Sequence, residues 1–415
     1  MDTQSTHLSE RVFEASERSL ELIADLSDDQ LRVPYLPTIN PLLWEFCHLA
    51  YFHEYWVLRQ GAGQDPHRPD VDALFDSMTV GHETRWRLPV PERENALSYV
   101  RAVRDRVLDL LERGADDRQL LYYIRYSVMH EDMHAEALTY TRQALGYSYP
   151  TLGVESGVEL SEEDASGDVH LRGGSFELGA DPDTSFCFDN EKWAHPVRVS
   201  PFAISKTAVS EGEFEGFIED AGYRRQELWS SEGWRWRLAS QAELPLYWRR
   251  AASGGFERRH FDQWIPIESA RAVIHVNWYE ADAFCRWAGR RLPTEVEWEM
   301  AAATSTGQSL ANANLDWRGS GPVDVAACSA VDSAVGCRQM IGNVWEWTDT
   351  TFAPFPGFVP DMYVDYSQTS FHTRKVLRGG CWATRSRMVR DTLRNFYQPC
   401  RRDVFSGFRT CARGS

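Results

Sequence analysis

Several absences narrow what this chain can do. No run approaches the ~20 consecutive apolar residues that a membrane-spanning helix needs. The opening segment MDTQSTHLSERVFEASERSLELIADL carries acids throughout instead of the unbroken apolar core of a signal peptide. There is no basic tract, and the formal net charge of −17 sets up a field that repels a phosphate backbone. The eight cysteines, at 47, 187, 285, 328, 337, 381, 400 and 411, contain no CxxC pair and no regular framework, so they read as reduced, mostly buried thiols. Together these absences predict a cytoplasmic protein that partners neither nucleic acid nor a membrane. What is present is a globular balance over 415 residues, 43% hydrophobic and 25% charged, enough for two or three domains. Aromatics are abundant, with 16 Trp, 16 Tyr and 20 Phe, much of them after residue 190.

The two halves have different textures. Up to about residue 148 the apolar residues recur at helical spacing, beginning with Val12, Phe13, Leu20, Ile23 and Leu26. Residues 41–60 read as a strongly apolar helix with proline in its first turn. Ala96 to Leu111 gives a third helix, stopping at Gly114, and 117–145 a fourth, ended by Gly146 and Pro150. Four long helices joined by loops are the recipe for a bundle. An acidic, small-residue linker follows, and from about 170 onward short strand-like runs alternate with glycines: FELGA, HPVRVSPFAIS, RAVIHVNW, RKVLRGGCW and SGFRTCA. Thr294 and Glu297 in LPTEVEWE form a capping box that opens a short helix. Trp345 and Trp347 read as core.

His130 and His134, four apart on the fourth predicted helix, point from one face and can share a metal. His48 lies mid-helix in an apolar setting on the second, and a bundle places ligands on facing helices projecting inward. His53 rivals it, five residues on and therefore on a different face, where a surface or supporting position is expected. Three imidazoles suit Fe, Zn, Cu or Ni and leave positions open for substrate and oxygen. HEDMH (130–134) also matches the H-E-x-x-H pattern of zinc hydrolases, with Glu131 as general base. The continuation AEALTYTRQ lacks the glycine and third histidine of a metzincin, so this alternative is remote.

Longer blocks carry a family resemblance. WEFCHLAYFHE (44–54) resembles the DinB-like helix that supplies a first iron-binding histidine, and HEDMHAE (130–136) the H-x3-H-x-E motif that supplies two more. GGSFELG (173–179), WYEADAFCRWAGRRLPTEVEWEMAA (278–302), GNVWEWT (342–348), LRGGCW (377–382) and RNFYQPCRRDVFSGFR (394–409) resemble the formylglycine-generating-enzyme (sulfatase-modifying) domain. The pairing is the hallmark of the sulfoxide synthases of ergothioneine biosynthesis, and the resemblance covers nearly the whole chain. It implies an α+β protein: a DinB-like four-helix bundle (1–150), the acidic linker (151–167) and a formylglycine-generating-enzyme/C-type-lectin-like α+β domain (168–415). It implies non-haem iron(II), held by His48, His130 and His134, with O2 as co-substrate. The reaction joins a chalcogen nucleophile to the imidazole of hercynine and oxidises the chalcogen in the same turnover. PLLWEFCHLAYFHEYWVLR, FDNEKWAHPV (188–197) and YWRRAASGGFERRHFDQW (247–264) are most similar to the selenoneine synthase branch. That branch takes a selenosugar of the 1-seleno-glucose type where other members take γ-glutamylcysteine or cysteine.

Carried over residue by residue, RNFYQPCRRDVF is the substrate wall. Asn395 and Phe396 match an asparagine and an aromatic, Tyr397 stands where the family has an acid, and Arg401 and Arg402 match an arginine pair. Loss of the acid argues against γ-glutamylcysteine and agrees with a neutral sugar donor. Arg401 and Arg402 have a plain alternative, pairing with Asp403 or with glutamates. Arg85 and Arg87 fall in the long inter-helix loop where the family places carboxylate-binding arginines, and Met133 replaces a glutamine that touches hercynine in relatives. The family's proton-donating tyrosine follows GNVWEWT. Tyr363, Tyr366 and the position of Phe358 are all candidates, and Tyr397 is the residue to which the role can have moved. The formylglycine-generating activity itself needs a pair of reactive cysteines. Cys411 matches one, Ser406 stands at the other, and Cys381, Cys400 and Cys411 therefore read as core thiols.

Overall fold

The periodic segments of the first half become six helices: α1 (Thr3–Ala24), α2 (Asp28–Leu31), α3 (Leu42–His53), α4 (Val71–Phe75), α5 (Arg93–Glu112) and α6 (Arg118–Leu145). The structure, a computed structural model, describes residues 3–155, 157–158, 165–252, 254–303 and 310–414; linker residues 156 and 159–164 lie outside the described residues. The chain divides into two units, Met1–Gly153 and Val154–Ser415. No helix among the described residues is long and apolar enough to cross a membrane.

In the first unit α1 and α3 lie diagonally, each packed on both α5 and α6, which makes the four-helix bundle. The faces follow the spacing. α1 buries Leu8, Val12, Ala15, Leu22 and Ile23; α5 buries Ala96, Tyr99, Val100, Val103, Val107 and Leu111. α3 is buried on almost every side, so it is the core helix of the bundle rather than an amphipathic wall. Pro41 precedes it as N-cap, and Glu45 N takes the Pro41 carbonyl. At Glu54 the predicted single helix widens into a π-helical stretch, Glu54–Gly61, which brings Glu54 inside. Its carboxylate there accepts from the Tyr99 hydroxyl at 2.5 Å and the His67 amide at 2.6 Å. α6 opens on an Asp117 side chain accepting from Leu120 N at 2.8 Å and stops where Gly146 turns left-handed at φ 69°.

The second unit is built from short pieces. Its strands are β1 (Asp168–Leu171), β2 (Gly174–Leu178), β3 (His195–Val199), β4 (Phe202–Ser205), β5 (Trp248–Arg250), β6 (Phe256–His260) and β7 (Gln263–Pro266). They continue as β8 (Arg290–Arg291), β9 (Trp345–Thr351), β10 (Lys375–Arg378), β11 (Asn395–Tyr397), β12 (Ser406–Gly407) and β13 (Cys411–Ala412). The helices are α7 (Glu211–Glu219), α8 (Ser231–Ser240), α9 (Trp278–Trp287) and α10 (Glu295–Ala302), the last opened by the Thr294–Glu297 capping box. One sheet runs β1-β4-β13-β8 and another β11-β10-β9-β12, with β12 parallel to β9; β2–β3 and β5–β6–β7 are separate antiparallel sets. The run RAVIHVNW is not a strand. Ala272, Val273, Ile274 and Val276 are buried, but among the described residues this stretch makes only isolated bridges. Apolar content here records burial, not a ladder.

Trp298, Trp317, Trp347 and Trp382 are fully buried, and Trp345 nearly so. Between them run paired charges. Arg409 grips both oxygens of Glu346 at 2.6 and 2.8 Å, and Arg394 both oxygens of Glu295 at 2.6 and 3.1 Å; Arg378 reaches Glu295 at 2.9 Å and Glu299. The LRGGCW turn needs its glycine: at Gly379, φ 97°, a Cβ would stand 2.5 Å from the Met340 carbonyl. Cys381 and Cys411 are buried as expected, but Cys400 is exposed and not a core thiol, because it sits in the turn after β11.

Candidate metal centre

The spacing of His130 and His134 on α6 places both rings on one face, and α3 brings His48 against them. One ligand atom from each of these three side chains lies within 4.8 Å of the others. The ring centroids of His48 stand 5.1 Å from His130 and 5.2 Å from His134, and those of His130 and His134 4.6 Å apart. His48 and His130 are each only 3% exposed. Burial first, and then the neighbouring His134, hold both well below the ordinary histidine range. They are therefore neutral imidazoles, the form that ligates metal.

Hydrogen bonds decide which nitrogen is offered. His48 Nδ1 lies 2.8 Å from the Phe75 carbonyl, and His134 Nδ1 lies 2.6 Å from Glu45 Oε1. With Nδ1–H donated outward in both, Nε2 is left as the ligand atom. Ring packing holds the planes: Trp44 stacks on His48 (5.0 Å, 8°) and Phe52 on His130 (3.7 Å, 10°). Three converging imidazoles, two of them oriented in this way, fit a divalent transition metal.

The rivals separate cleanly. His53 is buried rather than on the surface, and it points to the other side of α3, where Nε2 meets Glu131 Oε2 at 3.0 Å. The other oxygen of Glu131 accepts from Ser19 Oγ at 2.9 Å. The zinc-hydrolase reading of HEDMH needs that carboxylate at the metal. Here both of its oxygens are engaged, one by Ser19 of α1 and the other by His53. The hydrolase reading is thereby corrected.

Of the two loop arginines, Arg85 is committed inside the bundle. It donates to Asn40 Oδ1 at 2.7 Å and lies 4.0 Å over the Trp44 ring, so that Arg85, Trp44 and His48 form one stack. Arg87 is exposed.

In the second unit Asn395, Phe396 and Tyr397 share strand β11, paired with Leu377, Val376 and Lys375 of β10. Phe396 stacks on Phe352 (4.0 Å, 12°) and meets Tyr366 at 5.6 Å. Arg401 covers the Tyr397 ring at 5.0 Å while holding Asp403 with two bonds, 2.7 and 2.8 Å. Arg402 diverges, donating to Glu280 at 3.2 Å and the Leu244 carbonyl at 3.1 Å, and lying 5.2 Å from Trp236. So Phe396 forms an aromatic patch with Phe352 and Tyr366, Tyr397 lies under Arg401, and Arg402 diverges to Glu280 and Trp236. Of the three tyrosine-loop positions, Tyr366 is the one in this aromatic patch. Tyr363 stacks behind it, and Phe358 turns to Phe371.

Sequence reasoning missed Glu45 and Trp44. The available signal was an acid three residues before His48 on an otherwise apolar helix, which cannot face solvent without exposing the core.

Comparison with known proteins supplies the rest. Residues 156–414 match the sulfatase-modifying factor enzyme 1-like domain, and residues 14–145 match the DinB superfamily. A hercynine oxygenase of Mycolicibacterium thermoresistibile is 35% identical over 429 residues, covering 97% of this chain and 94% of its own. One from Mycobacterium tuberculosis is 36% identical, covering 95% of this chain and 96% of its own. A formylglycine-generating enzyme of Streptomyces coelicolor is 29% identical but spans only 56% of this chain, with 84% of its own length covered.

Proposed function

The chain belongs to the hercynine oxygenase family and is an oxidoreductase enzyme; on that premise we propose that it is a non-haem iron(II), O2-dependent synthase acting on hercynine, with a selenosugar of the 1-seleno-glucose type as second substrate. The observation that carries the metal reading is the convergence of His48, His130 and His134, with His48 and His134 turned Nε2 inward by Phe75 and Glu45. Iron(II) held there supplies the redox chemistry that lets O2 be used, which no side chain of this chain can supply alone.

The remaining roles fall to residues of β11 and its turn. A trimethylammonium group cannot donate hydrogen bonds and is held by aromatic faces, each contact worth ~0.5–2 kcal/mol. Phe396, backed by Phe352 and edged by Tyr366, offers such a wall. Asn395, one position earlier on the strand, is a polar contact of the same segment. Tyr397 holds or gives a proton through its phenol in this reading. A neutral sugar donor is favoured over γ-glutamylcysteine by charge. Tyr397 replaces the family's acid, and both arginines of the pair are already matched by internal acids, Arg401 by Asp403 and Arg402 by Glu280. A carboxylated thiol would have to compete for them. Arg87, exposed in the first unit, remains the loop arginine suited to a substrate carboxylate.

The test is a competition assay: iron(II)-loaded protein, hercynine and O2 with selenoglucose, thioglucose, γ-glutamylcysteine and cysteine together, and adducts read by mass spectrometry. A dominant hercynyl–selenosugar adduct is expected. A γ-glutamylcysteine or cysteine sulfoxide would instead make this an ergothioneine-type enzyme, and no adduct at all would sink the metal reading.

A further inference from the structure

A neutral imidazole has one N–H and one lone pair, so a histidine can offer a lone pair to a metal only if its N–H has somewhere else to go. In the trio the two visible solutions differ in kind. His48 gives its Nδ1–H to a backbone carbonyl, Phe75 O, at 2.8 Å. His134 gives its own to a carboxylate, Glu45 Oε1, at 2.6 Å, the shorter distance expected of a charge-assisted bond.

Glu45 is 1% exposed on a helix that is apolar on almost every side, an expensive place for a carboxylate unless it is paired. It lies three residues before His48, hence on the same face of α3. One helix therefore supplies both a candidate ligand and the acceptor that orients a second candidate ligand on the facing helix. His134 is also the ring with most freedom to turn, since its side chain is 21% exposed.

The geometry points to Glu45 as the positioning residue of the metal centre: it selects the Nε2 face of His134 and makes that imidazole a stronger donor than His48. A carboxylate behind an imidazole N–H raises the basicity of the opposite nitrogen and favours the more highly charged metal. His48, backed by a neutral carbonyl and stacked with Trp44 beneath the Arg85 guanidinium, gains no such increase. The inference rests on the iron reading above and adds to it the residue that sets ligand orientation and redox balance.

The experiment uses the full chain as wild type, Glu45→Gln and Glu45→Ala. Fe(II) affinity is measured by competition with a chromophoric chelator, and the Fe(III)/Fe(II) midpoint potential is measured on the loaded proteins. Glu45→Ala is expected to lose ~10–100-fold in Fe(II) affinity. Glu45→Gln keeps an oxygen acceptor without the charge, so it recovers most of that affinity. It nonetheless loses Fe(III) about tenfold more than Fe(II), a rise of about 59 mV. A merely structural role would leave the potential of Glu45→Gln at the wild-type value, and that result overturns the inference even if affinity falls. If Glu45→Ala fails to fold, the potential of Glu45→Gln decides alone. A wild type that takes up no Fe(II) overturns the metal reading and the inference with it; a wild type that loads normally beside unaltered variants overturns only the role of Glu45.

Discussion

The bundle and the second unit treat buried polarity in opposite ways. In the bundle, imidazoles on α3 and α6 converge with their N–H groups turned outward to Phe75 and Glu45, which leaves lone pairs facing a common point. In the second unit the deepest arginines are held by buried carboxylates, Arg409 by Glu346, and Arg394 and Arg378 by Glu295. Convergent but unspent groups mark chemistry, whereas closed pairs mark scaffold. Strand β11 stands between these extremes: Phe396 and Tyr397 are half-buried aromatics on the edge of a rigid sheet.

If that contrast is right, removing one converging group should abolish function without unfolding the chain. His130→Ala is expected to lose stoichiometric metal and to cut turnover beyond the ~10–100-fold that loss of an outer partner costs, with the helical circular dichroism signal kept. Metal content and adduct formation check it. Tyr397→Phe should lower product formation by ~10² or more if the phenol moves a proton, since positioned acids and bases contribute ~10²–10⁴. Unchanged turnover would return the proton-donating role to Tyr366. Arg409→Ala tests the scaffold side. It leaves Glu346 buried and unpaired, so denaturant unfolding should show a loss of about 3–5 kcal/mol in the second unit, with metal binding intact.

One acid in the second unit departs from the rule of closed pairs. Burial, joined by the nearby Asp361 carboxylate and opposed by the Ser367 hydroxyl, pushes Asp189 up to about 6 from 3.8. The native state therefore holds a proton that the unfolded chain has lost between those two values. The associated stability is complete below the unfolded value, drains away as pH rises toward 6, and is gone above it. Asp189→Asn should leave stability near pH 4 unaltered and raise it at pH 8 by on the order of 1–3 kcal/mol. Thermal unfolding at both pH values would show it, and parallel curves for variant and parent would remove this exception. The smallest effect is expected for Glu131→Gln. Its hydrogen bonds to Ser19 and His53 can survive as amide contacts, so turnover should stay within a few-fold, whereas a hydrolase base would be lost outright.

Much of the architecture was legible because it is local. The ends of α6 were written in Asp117 and Gly146, the start of α10 in Thr294 and Glu297, and the shared face of His130 and His134 in their spacing. The misread strand at RAVIHVNW shows where this stops, since an apolar run declares burial but not a hydrogen-bonding neighbour. The same limit governed the arginines. Arg401 and Arg402 are adjacent in sequence, yet one covers Tyr397 and the other crosses to Glu280, because successive side chains leave the backbone in different directions.

By itself, then, the sequence determined helices, caps, the two-histidine face of α6 and, through its ordered blocks, the pairing of a DinB-like bundle with a sulfatase-modifying-type domain. Only the tertiary structure brought His48 rather than His53 to His130 and His134, sent Glu131 to Ser19, and set Glu45 behind His134. Helical spacing fixes the azimuth of a side chain on its own helix. What that azimuth meets depends on how the neighbouring helix is rotated, and that is settled by packing across the bundle core.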